Sequence, residues 1–282
     1  MARAPTEDHR LRLDDGRTIG YATWGDPEGT PVFNAHGMPG SRRDRFPGLD
    51  DPEWCRKRRL RFIGIDRPGY GHSDPWPEAS LLECAEDFVR VADRLGLERF
   101  AALGASGGAP YVLALGALVP ERLGLLVIVS GMFEVDAEET RDELAAELGE
   151  EARALREDPE ASLADFFAGL SEVDQRMLER PDVRALFSEM LQEAVRQGAT
   201  GWVDDNLRLA RPWPFRLDEI SADVQFHHGE ADVVAPPHRI AEEIPGSRLR
   251  LYPGVGHLSI DRHIKEIAET LTSPTVGRST DA

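Results

Sequence analysis

The sequence has few cysteines and no long hydrophobic stretch. Cys55 and Cys84 are the only two cysteines among 282 residues, so no disulfide framework is indicated. No run approaches the roughly 20 apolar residues that a membrane-spanning helix needs. The first thirty residues carry charges throughout and lack the apolar region of a secretory signal. These absences predict a cytoplasmic protein from a reducing compartment, with no membrane partner.

Basic residues are also in deficit, with 33 Lys and Arg against 51 Asp and Glu and a formal net charge of −18. The excess is concentrated in residues 136–205, which hold 20 acidic and 7 basic residues. Binding nucleic acid requires a basic face, so no nucleic-acid partner is predicted. A negative field disfavours anionic ligands, which favours a small neutral or apolar substrate. The composition leaves both a monomer and a homodimer open.

Short apolar runs separated by helical stretches are what the sequence does contain. Continuous apolar runs are typical of strands that are covered on both faces, and their alternation with helices predicts an α/β fold with a doubly wound, mostly parallel sheet. Residues 9–13 and 18–24 alternate around a turn at residues 14–17, which predicts an N-terminal antiparallel hairpin. The apolar runs are residues 32–35, 61–66, 100–103, 123–129, 224–227 and 249–252.

The alternation stops between residues 132 and 212, where the sequence is helical, acidic and rich in Ala, Leu and Glu. We interpret this segment as a helical cap inserted after the sixth strand, above the crevice where α/β folds bind ligands. Residues 1–131 and 213–282 then form the core domain. The candidates for lining the pocket are Tyr70, Phe166, Phe167 and Trp202. For the last three, a place in the core of the cap is the more common role of such aromatic residues.

A G-x-S-x-G motif, Gly104-Ala105-Ser106-Gly107-Gly108, follows the apolar run 100–103 and precedes an apolar helix. In a tight strand-to-helix turn, Gly104 and Gly108 relieve crowding on either side of an exposed Ser106 hydroxyl. The start of the helix also favours a developing negative charge. We therefore predict Ser106 as a nucleophile. The alternative is a serine N-cap in a glycine-rich loop.

A serine nucleophile needs a base, and the base needs a carboxylate that orients it. Among eight histidines, His257 follows the last strand, in a loop that Gly254 and Gly256 allow to bend back over the sheet. Asp232 follows the strand before it. Glu230 is the nearest alternative acid, and Asp232 could instead be a turn carboxylate. The chain order Ser, Asp, His fits this architecture. Adjacent His227 and His228 would point to opposite faces of a strand, so no metal site is predicted.

The segment His36-Gly37-Met38-Pro39-Gly40 follows the first core strand. Acyl transfer needs two N–H donors for the tetrahedral oxyanion, and we predict the amides of Met38 and Gly107 for this role. Pro39 has no N–H to donate. His36 and Gly37 are expected to support the loop, while a plain Pro-Gly turn is the alternative.

These motifs together resemble the α/β-hydrolase superfamily over about residues 9–272. The resemblance rests on residues 36–40, the Pro/Gly turn at 66–73, the Ser106 turn, residues 228–232 and Gly256-His257. It is strongest to capped bacterial esterases, proline iminopeptidases and C–C hydrolases. It implies a Ser-His-Asp triad, a helical cap and no cofactor.

Three positions depart from particular relatives within this superfamily. Proline iminopeptidases usually have glycine at the position of Met38 and a bulky residue at that of Gly107. Haloalkane dehalogenases and epoxide hydrolases use aspartate at the position of Ser106. The expected function is hydrolysis of a small carboxylic ester through an acyl-enzyme. A C–C bond hydrolase, lyase or cyclase with the same triad, an aminopeptidase and a noncatalytic ligand receptor remain as alternatives.

Overall fold

Eight strands pair into one sheet in the computed structural model, which describes residues 7–133, 135, 139–235 and 240–272. The strands are β1 (Glu7–Arg12), β2 (Thr18–Gly25), β3 (Thr30–Ala35), β4 (Leu60–Ile65), β5 (Phe100–Ala105), β6 (Leu123–Val129), β7 (Asp223–Gly229) and β8 (Arg248–Tyr252). Their order in the sheet is β1-β2-β4-β3-β5-β6-β7-β8. The β1–β2 and β2–β4 pairs are antiparallel, and the other five are parallel. This confirms the predicted fold class and the N-terminal hairpin.

Ten helices in the described part of the chain connect and cover these strands. They are α1 (Pro52–Arg58), α2 (Leu81–Arg94), α3 (Ala109–Leu118), α4 (Arg141–Glu157), α5 (Pro159–Phe166), α6 (Glu172–Leu178), α7 (Pro181–Ala194), α8 (Thr200–Leu209), α9 (Ile240–Glu243) and α10 (Ile264–Glu269). Short 3-10 turns lie between several of them. Ser80 begins α2 with a capping box, since its hydroxyl accepts from the amide of Glu83 and its own amide donates to the Glu83 carboxylate.

The central strands are buried on both faces because helices cover both sides of the sheet. Residues 100–104 of β5 and the first eight residues of α3 are all buried. The side of α2 that faces the sheet is apolar, and α3 is apolar all round, so these two helices pack together against it. This packing directs the carboxyl ends of β3, β5, β7 and β8 toward one edge, where the candidate site lies.

The five helices α4 to α8 all lie between β6 and β7 in the chain. They share an apolar cluster separate from the two clusters that flank the sheet. We refer to residues 139–212 as the cap. Among the buried residues of its cluster are Leu144, Leu148, Leu155, Leu163, Met177, Leu178, Val183, Met190, Leu191, Val195, Trp202 and Val203.

Buried ion pairs connect the cap to the core. Arg42 bonds both Asp66 of the core, at 2.9 Å, and Glu193 of α7, at 2.7 Å. Arg67, which follows β4, donates through Nε to Asp205 of α8 at 2.9 Å. Because buried charges are stable only when paired, these contacts hold the cap in one docked position.

Both cysteines are free and buried. Desolvation raises the pKa of the Cys55 thiol to about 11 and that of the Cys84 thiol to about 12, so both remain protonated packing groups near neutral pH. Within the ranges that the structure describes, no helix has the length and apolar character needed to cross a bilayer.

Candidate active site

Ser106 lies directly after β5, at the turn into α3, with a backbone φ of +48°. A non-glycine residue in this region is strained, so the surroundings must enforce the conformation. The two flanking glycines explain how the turn fits. A Cβ on Gly108 would lie 2.2 Å from the carbonyl oxygen of Ala35, and one on Gly104 would lie 2.9 Å from Val112. The turn therefore packs against the end of β3 and exposes the Ser106 hydroxyl.

Ser106, His257 and Asp232 form one hydrogen-bonded line. The Ser106 Oγ lies 3.0 Å from Nε2 of His257, and Nδ1 of His257 lies 2.8 Å from Oδ2 of Asp232. In this arrangement the serine hydroxyl donates to Nε2, and Nδ1–H donates to the carboxylate. The geometry suits an imidazole that removes the hydroxyl proton while the carboxylate orients the ring.

The carboxylate of Asp232 is held by more than the histidine. Its Oδ1 accepts from the amides of Val234 and Ala235, at 2.9 and 3.0 Å. Burial alone would raise the pKa of Asp232, but hydrogen bonds from His228, His257 and the Ala235 amide outweigh burial and lower it. Asp232 is therefore an anion at neutral pH, which favours a proton on Nδ1 of His257.

His228 is a contact that the sequence interpretation missed. Its Nε2 lies 3.0 Å from Oδ2 of Asp232 and also bonds the carbonyl of Ala235. The chain reverses direction after Gly229, which brings His228 of β7 beside Asp232, four residues later. The sequence feature that could have indicated this contact is the four-residue spacing of His228 and Asp232 around Gly229. No cluster of three or more His, Cys, Asp or Glu arranged to hold a metal ion occurs in the described ranges.

The loop after β3 lies beside the Ser106 turn. A Cβ on Gly107 would come within 3.4 Å of the Met38 amide nitrogen and 2.7 Å of the Met38 Cβ. The two predicted oxyanion amides therefore belong to residues in direct contact. Met38 also occupies the space that a side chain at position 107 would need. Methionine at position 38, where iminopeptidases have glycine, therefore requires glycine at position 107, where they have a bulky residue.

Arg67 contacts this loop, which we call the oxyanion loop after its predicted role, and the sequence interpretation missed this contact. Its guanidinium donates to the carbonyl of His36 and, at 2.9 Å, to the carbonyl of Gly37. Because C=O and N–H of a trans peptide point in opposite directions, the Met38 amide points away from Arg67. On the other side, Asp44 accepts from the Gly37 amide at 3.0 Å. Asp44 belongs to the same connection after β3, whereas Arg67 comes from a segment 30 residues away in the chain.

His36 supports the loop as a neutral side chain. Its Nε2 accepts from the amide of Arg67 at 3.2 Å, which leaves Nδ1–H to donate to the Gly37 carbonyl at 2.8 Å. Complete burial lowers its pKa well below the ordinary value, and the nearby Arg67 charge acts in the same direction. The ring braces the loop through both nitrogens.

A cavity of about 120 Å³ opens above Ser106. Phe166 and Phe167, predicted as lining residues, do line it, whereas Tyr70 and Trp202 are not among the lining residues. Tyr70 is buried beneath the cap, edge-on to His36, and Trp202 packs against Phe166 at 5.8 Å between ring centroids. The apolar lining consists of Met38, Phe46, Val129, Phe166, Phe167, Met177, Phe187, Met190, Leu191, Leu258 and Ile260.

Comparison with known proteins agrees with this architecture. A family model described as alpha/beta hydrolase fold matches residues 30–263. A proline iminopeptidase of Neisseria gonorrhoeae is 28% identical over 221 residues, which cover 77% of this chain and 67% of that protein. A proline iminopeptidase of Xanthomonas citri is 29% identical over 133 residues, or 46% of this chain. The chain spans only 41% of the length of that relative.

Solved structures resemble the whole chain at lower sequence identity. An esterase from Exiguobacterium antarcticum superposes with a TM-score of 0.67 and 22% identity, covering 96% of this chain and 100% of the other. Identity at this level supports the fold alone. The family match extends over most of the chain, from β3 to the residues after His257. The chain therefore belongs to the alpha/beta hydrolase fold family.

Proposed function

We propose that this protein hydrolyses a small carboxylic ester through an acyl-enzyme formed on Ser106. The observation that carries the proposal is the hydrogen-bonded line from Ser106 through His257 to Asp232, at 3.0 and 2.8 Å, at the base of a small apolar cavity. Each group has the partner that its chemical role requires.

The reaction follows from these positions. His257 accepts the proton of the Ser106 hydroxyl as Oγ attacks the ester carbonyl carbon, and the amides of Met38 and Gly107 stabilise the oxyanion. The protonated His257 then gives its proton to the departing alcohol. Water, deprotonated by the same imidazole, attacks the acyl-enzyme and releases the acid and free Ser106.

The cavity limits the substrate to a small neutral acyl or alcohol group. A cavity of about 150 Å³ lined by apolar side chains holds a benzene ring, and the cavity above Ser106 measures about 120 Å³. We therefore expect short straight chains to be favoured over long ones. The apolar lining and the net charge of −18 disfavour an anionic substrate.

The proposal is tested with p-nitrophenyl esters of increasing acyl length. We expect the wild type to hydrolyse the short esters, with kcat/KM falling as the chain outgrows the cavity. Ser106→Ala should lose at least about 10³-fold in kcat, because the nucleophile is absent. Ser162→Ala, a serine substitution in the cap at an exposed hydroxyl, is the matched control. A Ser106→Ala protein as fast as the wild type would exclude the mechanism.

The same experiment separates ester hydrolysis from other reactions of this site. A fluorophosphonate probe should label Ser106 in the wild type, and labelling should require His257. If Ser106 is labelled while the whole ester panel stays unreacted, the triad serves C–C bond cleavage, a lyase step or a cyclisation instead. If no serine-directed probe reacts with Ser106, the protein is better explained as a noncatalytic receptor.

Aminopeptidase activity is a second candidate, favoured by the iminopeptidase relatives. Asp44 and Asp261 line the cavity, as Arg45 does, and their carboxylates could face a substrate ammonium group. Burial raises the pKa of both carboxyl groups, and Asp44 already accepts from Gly37 and Asp261 from the amide of Gly48. Because both carboxyl groups already have hydrogen-bond partners within the protein, we favour an ester over a peptide as the substrate. Faster hydrolysis of a prolyl arylamide than of any ester would make aminopeptidase the better-supported function.

A further inference from the structure

A carboxylate from the cap holds the loop that carries His257. Asp174 lies on α6, and its side chain accepts hydrogen bonds from three consecutive amides of the core. The distances are 2.9 Å from the amide of His257, 3.0 Å from that of Leu258 and 2.7 Å from that of Ser259. Asp174 is fully buried. Successive amides that converge on one carboxylate fix both the position and the direction of the backbone.

The surroundings of Asp174 fit this contact closely. The Ser171 hydroxyl donates to Oδ2 at 2.7 Å and fixes the carboxylate from the cap side. On the loop side, a Cβ on Gly256 would lie 2.3 Å from the same oxygen. The glycine before the catalytic histidine is therefore needed so that the cap carboxylate can approach.

The backbone of His257 is thus held from two sides. Its amide donates to Asp174 of the cap, and its carbonyl accepts from the Ser130 hydroxyl of the core at 3.1 Å. Removing the cap carboxylate would leave three buried donors without this acceptor, and the loop would have to move to satisfy them. Any such movement displaces the imidazole relative to Ser106.

We infer that Asp174 is a positioning residue for His257, so that the core triad is aligned only while α6 of the cap is docked. The inference rests on the proposed function. Asp174 is absent from the residues that line the cavity, so it acts through the histidine loop and not by touching substrate. The loss of Asp174 should therefore lower kcat and leave KM nearly unchanged.

The first test is Asp174→Asn, which replaces one acceptor oxygen with an amide donor opposite the loop amides. A displacement of about 1 Å at a catalytic group can cost about 100-fold in rate. We expect kcat on the best p-nitrophenyl ester to fall by about that factor. The rate constant for fluorophosphonate labelling of Ser106 should fall in parallel.

A matched control separates positioning from stability of the cap. Asp204 is another buried cap carboxylate, but its partner is Arg141 at the start of α4, at 2.6 Å. Asp204→Asn should lower the melting temperature and leave kcat within about twofold of the wild type, since the loop keeps its partner. If Asp204→Asn loses as much kcat as Asp174→Asn, the inference is overturned.

A second variant keeps the test decisive should Asp174→Asn not fold. Gly256→Ala retains the carboxylate but fills the space through which it reaches the loop, so it should reproduce the kcat loss. Folded Gly256→Ala or Asp174→Asn with wild-type kcat and labelling rate would refute the positioning role. That result, with Ser106→Ala inactive, leaves the proposed function intact. Equal activities of Ser106→Ala and wild type would instead remove the proposed function itself.

Discussion

At the scale of single residues, the candidate site depends on backbone groups that buried side chains hold in place. Asp232 is fixed by two amides, and the oxyanion loop is fixed by Arg67 on one side and Asp44 on the other. Arg67 is wholly buried, and Asp205 of the cap balances its charge. The orientation of the Met38 amide is therefore linked to an ion pair between core and cap.

Substitution of Arg67 tests this link. Arg67→Lys keeps the charge beside Asp205 but cannot reproduce the forked contact with two carbonyls. Loss of one oxyanion donor typically costs about 100-fold or more in kcat, and we expect a loss of about 10-fold or more here because the Met38 amide is displaced and not removed. Steady-state kinetics on the preferred ester provide the measurement.

Arg208→Lys is the control for this prediction. Arg208 bonds the same Asp205 at 2.9 Å, yet its other partners are the Tyr111 hydroxyl and the carbonyls of Ala79 and Trp76, none of which belongs to the loop after β3. Arg208→Lys should lower the melting temperature but reduce kcat much less than Arg67→Lys does. Equal kcat losses in both lysine variants would contradict the role assigned to Arg67.

At the scale of elements, the cap helices divide their acidic residues between two uses. Most lie on the exposed face, where Thr140 and Glu143 form a capping box at the start of α4. A few are buried and connect cap to core, among them Asp174, Glu193 and Asp205. The acidic excess within residues 139–205 is therefore partly a solvated surface and partly a set of docking contacts.

The inner face of the cap should determine which esters fit. Phe187 lies on α7 and lines the cavity. Phe187→Ala removes its ring and enlarges the space above Ser106, so the preferred acyl chain should become longer. The measurement is kcat/KM across the p-nitrophenyl ester series for variant and wild type.

Leu155→Ala provides the comparison for the cap. Leu155 is buried in the cap cluster and does not line the cavity. It should lose about 2 to 5 kcal/mol of stability, as buried leucines commonly do, without changing the preferred chain length. An unchanged preference in Phe187→Ala would mean that other residues limit substrate size.

At the scale of the whole molecule, buried histidines make stability depend on pH. Burial lowers the pKa of His227 to about 4, and the neighbouring Arg250 charge acts in the same direction. Its Nδ1 lies 2.9 Å from the Tyr252 hydroxyl. Between about pH 6.5 and 4 the unfolded chain binds more protons at this position than the folded chain does. The free energy of unfolding should therefore fall as the pH is lowered through that window.

His227→Gln tests this pH dependence, since glutamine can bond the Tyr252 hydroxyl but does not titrate. Each pKa unit corresponds to about 1.4 kcal/mol, so at pH 4.5 the histidine should account for about 2 to 3 kcal/mol of lost stability. Urea unfolding at pH 7 and pH 4.5 measures the loss in both proteins. Identical losses in variant and wild type would contradict the assignment to His227.

The sequence by itself determined the sheet and the chain order of the three residues that we propose as catalytic. Apolar runs of strand length alternate with helices, which is sufficient to predict a parallel sheet, and the apolar helix expected after the Ser106 motif is α3. Ser106, Asp232 and His257 were identifiable because each follows a separate strand, and the carboxyl ends of parallel strands share one edge. Apolar runs and the residues that follow them can be read from short stretches of sequence. A parallel sheet then brings the ends of its strands to the same edge.

Only the tertiary structure decided which distant side chains support the site. Asp174 and Asp205 come from the same acidic segment as many exposed carboxylates, and nothing in their neighbours marks them as buried. Their partners, His257 and Arg67, lie 83 and 138 residues away in the chain. The same holds for Trp202, which packs inside the cap. Such contacts depend on how the cap docks on the core, and docking is set by three-dimensional packing and not by the spacing of residues in the sequence.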